Sequence, residues 1–234
     1  MNWLWELRCR LDLKQRLLQT VRKCTSLTTR QRHIAGYLDG NPIRKLQIGC
    51  GKNPLQGWLN TDIDARNGIY LDATRPLPLP EECIDCIFTE HMFEHISYRD
   101  GNRFLREACR VLKRGGKIRI ATPNLAFLIR LYSEVDTDLA QRYIKFQVDR
   151  FIPYAKVYTR GNVVNNFFYN WGHHFIYDLE MLTHTLLDSG FTEVARCNPG
   201  ESNDPHFRTL EGHGQIIGDE FNLLETIVVE ACKP

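Results

Sequence analysis

The stretch KLQIGCGKNPLQGWLNTDID, Lys45 to Asp64, decides the fold. Lys45–Ile48 reads as a short first strand, and Gly49-Cys50-Gly51 follow it at once. Trp58–Asp62 then reads as a second strand that ends in acid. Glycine lets a backbone approach a ligand that a Cβ would hold off. A dinucleotide-binding turn needs G-x-G-x-x-G, and Pro54 stands where its third glycine belongs. A phosphate loop needs G-K-[ST], which is absent. Lys52–Gly57 is too short for a crossover helix, which needs about 10–12 residues. The first helix is therefore at most one turn.

Outward from this stretch, strands alternate with helices. Ile69–Leu71 is a brief third strand, and Ile84–Phe88 is a fourth, apolar on both faces except at Asp85. Residues 98–112 form a helix capped by Ser97, with Phe104, Leu105, Ala108, Val111 and Leu112 facing inward. Gly115-Gly116 is read as its end, and Lys117–Ala121 as a fifth strand. Asp178 caps another helix, carrying Leu179, Leu182 and Leu186 and stopped by Gly190. Phe191–Cys197 and Glu225–Ala231 are the last two strands; no obvious helix joins them, so they form an antiparallel hairpin at the sheet edge. The alternation predicts an α/β fold, a mostly parallel sheet with helices on both faces.

A chain of 234 residues can bury a full core. No run of 18 or more apolar residues occurs, and the first residues do not read as a secretory signal. Eight cysteines fall at irregular spacing, and Cys83-Ile84-Asp85-Cys86 lies where a buried strand begins. They read as reduced and buried, in a cytoplasmic protein. Residues 1–32 carry a net +6 and the remainder −4. The body thus offers no basic field for nucleic acid. Asn2–Cys24 reads as a basic helix whose Trp3, Leu4, Leu7, Leu11, Leu18 and Val21 share one face, interrupted by Arg10 and Lys14. It suits docking on the protein's own body, or contact with a membrane surface or a partner.

Ligands of such sheets sit at the carboxyl ends of the strands, where strand order reverses. Three consecutive strand ends here present Gly-x-Gly, an acid and an acid. Asp62, at the end of the second strand, is better placed than Asp64 to accept from two ribose hydroxyls, with Ile63 as an apolar wall. Asp72-Ala73, after the third, offers a carboxyl to an adenine amino group. The set suits an adenosine with a polar, non-phosphorylated tail.

These residues carry a family resemblance. LQIGCG, LDATRPLPLPEECIDCIFTEHMFEHI and FLREACRVLKRGGKIRIATPN, in this order and spacing, resemble class I S-adenosylmethionine-dependent methyltransferases of the methyltransferase type 11-like group. The similarity covers about residues 45–234. It implies a Rossmann-like seven-stranded sheet with a C-terminal β-hairpin, and S-adenosyl-L-methionine as cofactor. By position it implies that Gly49, Cys50 and Gly51 touch the methionine part, Asp62 the ribose and Asp72 and Ala73 the adenine. Thr89 and Glu90 border the sulfonium end. Asn53 stands where the family commonly has a third glycine, and asparagine tolerates a positive φ. The short crossover is similar to that of methyltransferases found beside sugar-polymer assembly enzymes. This implies a small-molecule or saccharide acceptor and a place in polysaccharide biosynthesis. Residues 1–40 then read as a basic helical extension, and 41–234 as the methyltransferase domain, with an insertion at about 124–175 that covers the acceptor.

Histidines supply the candidate bases, because an imidazole titrates near working pH. His91 and His95 follow the fourth strand; His173 and His174 precede the Asp178 helix. His95, His174 and His91 are the expected catalytic residues. His91-x-x-Glu94-His95 matches an inverted zinc-protease pattern in writing, but it follows a buried strand rather than lying along a helix. It is also similar to the Glu-x-x-Glu-His of some metal-assisted methyltransferases, with His91 at the place of their first Glu. No metal ligand is expected. Glu201, Arg208 and Glu211, in the polar run Asn198–Gly214, are able to hydrogen-bond a sugar. Two other functions fit such a sheet: a non-catalytic binding module, and a nicotinamide oxidoreductase, which Pro54 and the short crossover oppose.

Overall fold

The computed structural model describes residues 18, 20–21, 24–25, 27–134 and 137–234. Trp3, Leu4, Leu7, Leu11 and most of the basic helix lie outside them; Leu18 and Val21 are exposed. Residues 27–40 are helical (α1).

The sheet has seven strands: β1 (Lys45–Ile48), β2 (Leu59–Asp62), β3 (Ile69–Tyr70), β4 (Ile84–Glu90), β5 (Leu112–Pro123), β6 (Thr192–Cys197) and β7 (Thr226–Cys232). Their order is β3-β2-β1-β4-β5-β7-β6. Strands β1 to β5 pair in parallel, and β7 runs antiparallel between β5 and β6. The order reverses between β1 and β4, so the crevice above their carboxyl ends is the switch point. This is the expected Rossmann-like sheet with its antiparallel C-terminal strands.

Two local expectations change. Gly115-Gly116 does not end the helix. Helix α2 (Tyr98–Val111) ends as Leu112 turns extended to pair with Ile84. The glycines lie within β5, where the Gly115 N–H donates to the Lys233 carbonyl and the Lys233 N–H to that of Gly116. The connection between β6 and β7 also holds two short helices, α7 (Gly214–Ile217) and α8 (Asp219–Glu225).

Strand residues alternate between faces, and the two faces are covered differently. Leu46, Ile48, Ile84, Ile87, Ile118, Ile120 and Val229 pack with Ile34 of α1, Phe104, Leu105 and Ala108 of α2, and Leu182 and Leu186 of α6 (Leu179–Asp188). On the opposite face Trp58, Cys86 and Phe88 enclose Phe207, from the segment before α7. That segment occupies the face left bare by the missing first crossover helix. Burying Phe207 contributes about 1.5–3 kcal/mol.

Between β5 and α6 lie α3 (Leu125–Ser133), α4 (Asp138–Phe151) and α5 (Arg160–Tyr169). Asn124, Thr137 and Thr159 cap them by accepting from the N–H groups of Phe127, Ala140 and Asn162. Their apolar faces meet in a second cluster that Phe221 and Leu224 of α8 join. The seven cysteines among the described residues are free. Burial pushes the Cys83 thiol up and that of Cys86 to about 12, as an inert pair requires. No helix among the described residues is long and apolar enough to cross a membrane.

Candidate functional site

The corner after β1 is built from backbone. The Gly49 and Cys50 N–H groups both donate to the Thr61 carbonyl, at 2.9 and 3.0 Å, tying the turn to β2. The Gly51 N–H donates to Asp62 Oδ2 at 2.8 Å, and the Asp64 N–H to Oδ1 at 2.7 Å. Each Asp62 oxygen therefore keeps lone-pair capacity for a further donor. Cys50 is buried, and burial pushes its thiol up to about 11. It contributes through its backbone.

The two glycines differ. At Gly49 (φ 75°) a Cβ would lie 2.6 Å from Met92 Cβ, so close packing excludes a side chain. At Gly51 (φ 51°) no atom lies within 4 Å of that position. This is open space that a side chain would fill. Beside it Ile63 is 67% exposed, a large apolar surface at the end of β2. The Thr89 hydroxyl, at the end of β4, is buried without a hydrogen-bond partner. An open backbone corner, an acid with spare acceptors, a bare apolar wall and an orphaned hydroxyl fit a nucleoside with a polar tail. Asp72 is partly committed: Oδ1 accepts from the Thr74 N–H and hydroxyl, and Oδ2 lies 4.0 Å from Arg75 Nε. Ala73 packs on the core beside it.

Glu90 accepts from the N–H groups of Gly212 and His213 at 3.0 and 2.9 Å. A Cβ on Gly212 would lie 3.0 Å from Asn53 Nδ2. The run 210–213 thus lies between the turn after β1 and the end of β4. Arg119 of β5 anchors its approach. Fully buried, Arg119 pairs with Glu211 and Glu230, both at 2.5 Å, and donates to the carbonyls of Glu201 and Asn198. Burial alone would lower its pKa, but the Glu211 and Glu230 carboxylates raise it above the usual arginine value. Glu211 is therefore a structural ion-pair partner rather than a sugar ligand. Arg208, exposed, donates to the Ser202 carbonyl within its own loop.

Next to this corner opens a cavity of about 350 Å³, lined by His91, Glu94, His95, His173, His213 and Glu225 and walled by Phe151, Phe167, Trp171 and Ile216. Of the three expected bases, His91 and His95 face it. His174 is exposed and lines a separate pocket with Phe168 and Met181, so the structure separates it from the others. His91 has φ 46°, left-handed for a non-glycine residue. Its Nδ1 is 3.1 Å from Glu94 Oε1, and its Nε2 is buried without a partner. Burial alone would lower the His91 pKa, but the hydrogen bond and charge of Glu94 outweigh it and hold the pKa above the usual value. Glu94 is fully buried and its Oε2 accepts from the Thr122 hydroxyl. Burial would raise its pKa; the His91 bond keeps it below the ordinary range. Burial lowers the pKa of His173.

Sequence reasoning assigns no role to Glu94, His213 or Glu225, and names His173 only beside His174 as a candidate base. The His213 ring lies tilted against that of His91, centroids 3.9 Å apart, and His213 Nε2 lies 2.8 Å from Glu225 Oε1. Glu225 also takes the Tyr143 hydroxyl and Gln147 Nε2 of α4. The written H-x-x-E-H run was the one available signal for Glu94; no local pattern marks His213 or Glu225.

The strand order, the glycine corner and the acid at the end of β2 resemble those of class I S-adenosylmethionine-dependent methyltransferase domains. Residues 46–120 match the family model described as "Methyltransferase domain". Two curated relatives, each a probable S-adenosylmethionine-dependent methyltransferase from a strain of Mycobacterium tuberculosis, are 28% identical over 144 residues. That match covers 61% of this chain and 39% of the length of those relatives. A solved SAM-dependent methyltransferase from Archaeoglobus fulgidus is similar at 18% identity and TM-score 0.47, over 91% of this chain and 94% of that one. Another, from Mesorhizobium loti, is similar at 13% identity and TM-score 0.49, over 82% and 91%.

Proposed function

We propose that the protein is an enzyme that methylates an oxygen of a small-molecule or saccharide acceptor, with S-adenosyl-L-methionine as methyl donor. The observation that carries this reading is adjacency. Gly49 packs on Met92, whose neighbour His91 lines the histidine cavity. A nucleoside corner and a polar, aromatic-walled cavity therefore share one short turn.

When bound, the cofactor supplies an electrophilic methyl carbon and a neutral thioether leaving group. Gly49, Cys50, Gly51 and Asn53 form the surface for its amino-acid part. Asp62 takes the ribose hydroxyls, Ile63 and Ala73 flank the base, and Asp72 accepts from its amino group. Thr89 and Glu90 stand at the end nearest the acceptor, with the Glu90 carboxylate holding the 212–213 backbone in place. Phe151, Phe167 and Trp171 give an acceptor ring flat apolar contact and keep water out. Glu94 fixes the His91 ring at the cavity wall, with the unpartnered Nε2 as the atom that would receive the acceptor's proton. His95 stands beside it. Alignment supplies roughly 7–11 kcal/mol and a placed base about 3–5 kcal/mol, so alignment dominates.

The acidic balance of the body favours a small acceptor over nucleic acid, the free cysteines favour a cytoplasmic setting, and the basic residues 1–32 favour contact with a membrane surface or partner. The saccharide reading further places the reaction in polysaccharide biosynthesis. Labelled S-adenosylmethionine tests the whole. The expected result is retention by the protein and transfer of label to a small-molecule or glycan fraction of a cell extract. Retention without transfer would favour the non-catalytic binding module, and no retention would end both readings.

A further inference from the structure

Three donors in the cavity come from two separate segments. Glu94 and His95 lie in the 3-10 turn Phe93–His95, and His173 follows α5. One ligand atom from each lies within 4.8 Å of the other two. The imidazoles are oriented in the same sense. His173 Nδ1 is 2.7 Å from the Phe167 carbonyl, and His95 Nδ1 is 3.4 Å from that of Gly172. A carbonyl only accepts, so each Nδ1 carries the proton and each Nε2 keeps its lone pair. Fixing the distal ring N–H on a carbonyl is how proteins prepare histidine for a metal. Trp171 (φ 55°) and Gly172 (φ 75°) form the left-handed turn that delivers both the Gly172 carbonyl and His173. The aromatic wall of Phe151, Phe167 and Trp171 supplies the apolar shell around the cluster.

We propose that Glu94, His95 and His173 form a binding site for a divalent transition-metal ion of the zinc type, with an open coordination position facing the cavity. Two imidazole nitrogens and one carboxylate oxygen are a donor set that suits zinc, and three protein ligands leave the fourth position free. At metal–ligand distances of about 2.0–2.1 Å the donors of a tetrahedral site lie about 3.4 Å apart. The donors stand within 4.8 Å of one another, and a bound ion would draw His95 and His173 inward by side-chain rotation. His91 remains outside the set as the partner of Glu94, and the proposal departs from the sequence expectation of no metal ligand. Resting on the proposed activity, the open position is where an acceptor hydroxyl oxygen would bind, and it selects acceptors with an oxygen next to a second donor.

The test uses the full-length, tag-free protein, stripped with chelator and titrated with Zn²⁺ and with Co²⁺, whose visible absorption reports coordination. One equivalent should bind. His173→Ala should weaken Zn²⁺ by more than about 100-fold, beyond the 10–100-fold that loss of an outer partner costs. Glu94→Gln should behave alike, and His174→Ala should bind as the parent does. S-adenosylhomocysteine binding by the metal-free variants checks that they are folded. Well under one equivalent bound by the parent, or His173→Ala binding like the parent (an adventitious ion only), overturns the site. A protein that takes up zinc but not S-adenosylhomocysteine keeps the metal site and loses the methyltransferase reading. One that takes up S-adenosylhomocysteine but not zinc does the reverse.

Discussion

Gly49 and Gly51 belong to one motif and answer to different forces. A methyl at Gly49 collides with Met92 and strains a left-handed backbone, so Gly49→Ala should lower the melting temperature. Gly51→Val meets no protein atom; it pays about 1–2 kcal/mol for its positive φ and fills the space reserved for ligand. We expect a folded protein with no measurable S-adenosylmethionine binding, and unchanged affinity would move the cofactor elsewhere. Asp62→Ala should weaken binding by about 1–3 kcal/mol through lost ribose bonds, read by calorimetric titration. Both residues were legible in the sequence because they end short strands, where the fold dictates what they face. Arg119 was not. In GKIRIATP it reads as one outward residue of an alternating strand, while its acidic partners stand 92 and 111 positions away. Arg119→Met should destabilise by about 3–5 kcal/mol in urea unfolding, since it leaves two carboxylates with a buried partner missing.

At the scale of elements, the segment 198–213 does the work of an absent helix. It covers the sheet with Phe207 rather than with a helical stripe, so periodicity could not announce it, and the polar composition of the run reads as solvated loop. Phe207→Ala should cost about 3–5 kcal/mol by cavity formation. The same segment is held by Asp204, 3.2 Å from Lys117. Burial would raise the Asp204 pKa, but the His206 amide and Lys117 hold it below 3.8. A depressed carboxyl stabilises above its unfolded value and loses that contribution as pH falls through the folded one. Asp204→Asn should therefore cost about 0.5–1 kcal/mol at pH 7, and the gap to the parent should close as acid protonates the folded Asp204 carboxyl, at a pH below the ordinary aspartate value. Equal stabilities of the two proteins at neutral pH would count against the pairing. By contrast α2 and α6 were readable almost to the residue, since Ser97 and Asp178 cap them and their buried positions follow helical spacing.

For the molecule as a whole, strand order and the placing of the cofactor corner follow from local signals, whereas the cavity is assembled from distant ones. His91 and Glu94 sit after β4, His173 after α5, His213 before α7 and Glu225 before β7. Nothing in 3.6- or two-residue periodicity links them. Adjacent residues also part company: His173 turns into the cavity and His174 out of it. Exchanging His174 for asparagine should leave turnover nearly unchanged, while His91→Asn should lower kcat by about 10²–10⁴-fold with cofactor affinity retained.

Gly212 lies so near Asn53 that a Cβ on it would sit 3.0 Å from Nδ2, and its amide donates to Glu90. A molecule that shifts Asn53 on entering the nucleoside corner should therefore press on the backbone that carries His213, whose ring lies against that of His91. Reciprocity obliges an acceptor that moves His213 to alter nucleoside affinity by an equal factor. Donor and acceptor then cannot load independently, and solvent deuterium uptake at the Gly212 and His213 amides would register the arrival of either one.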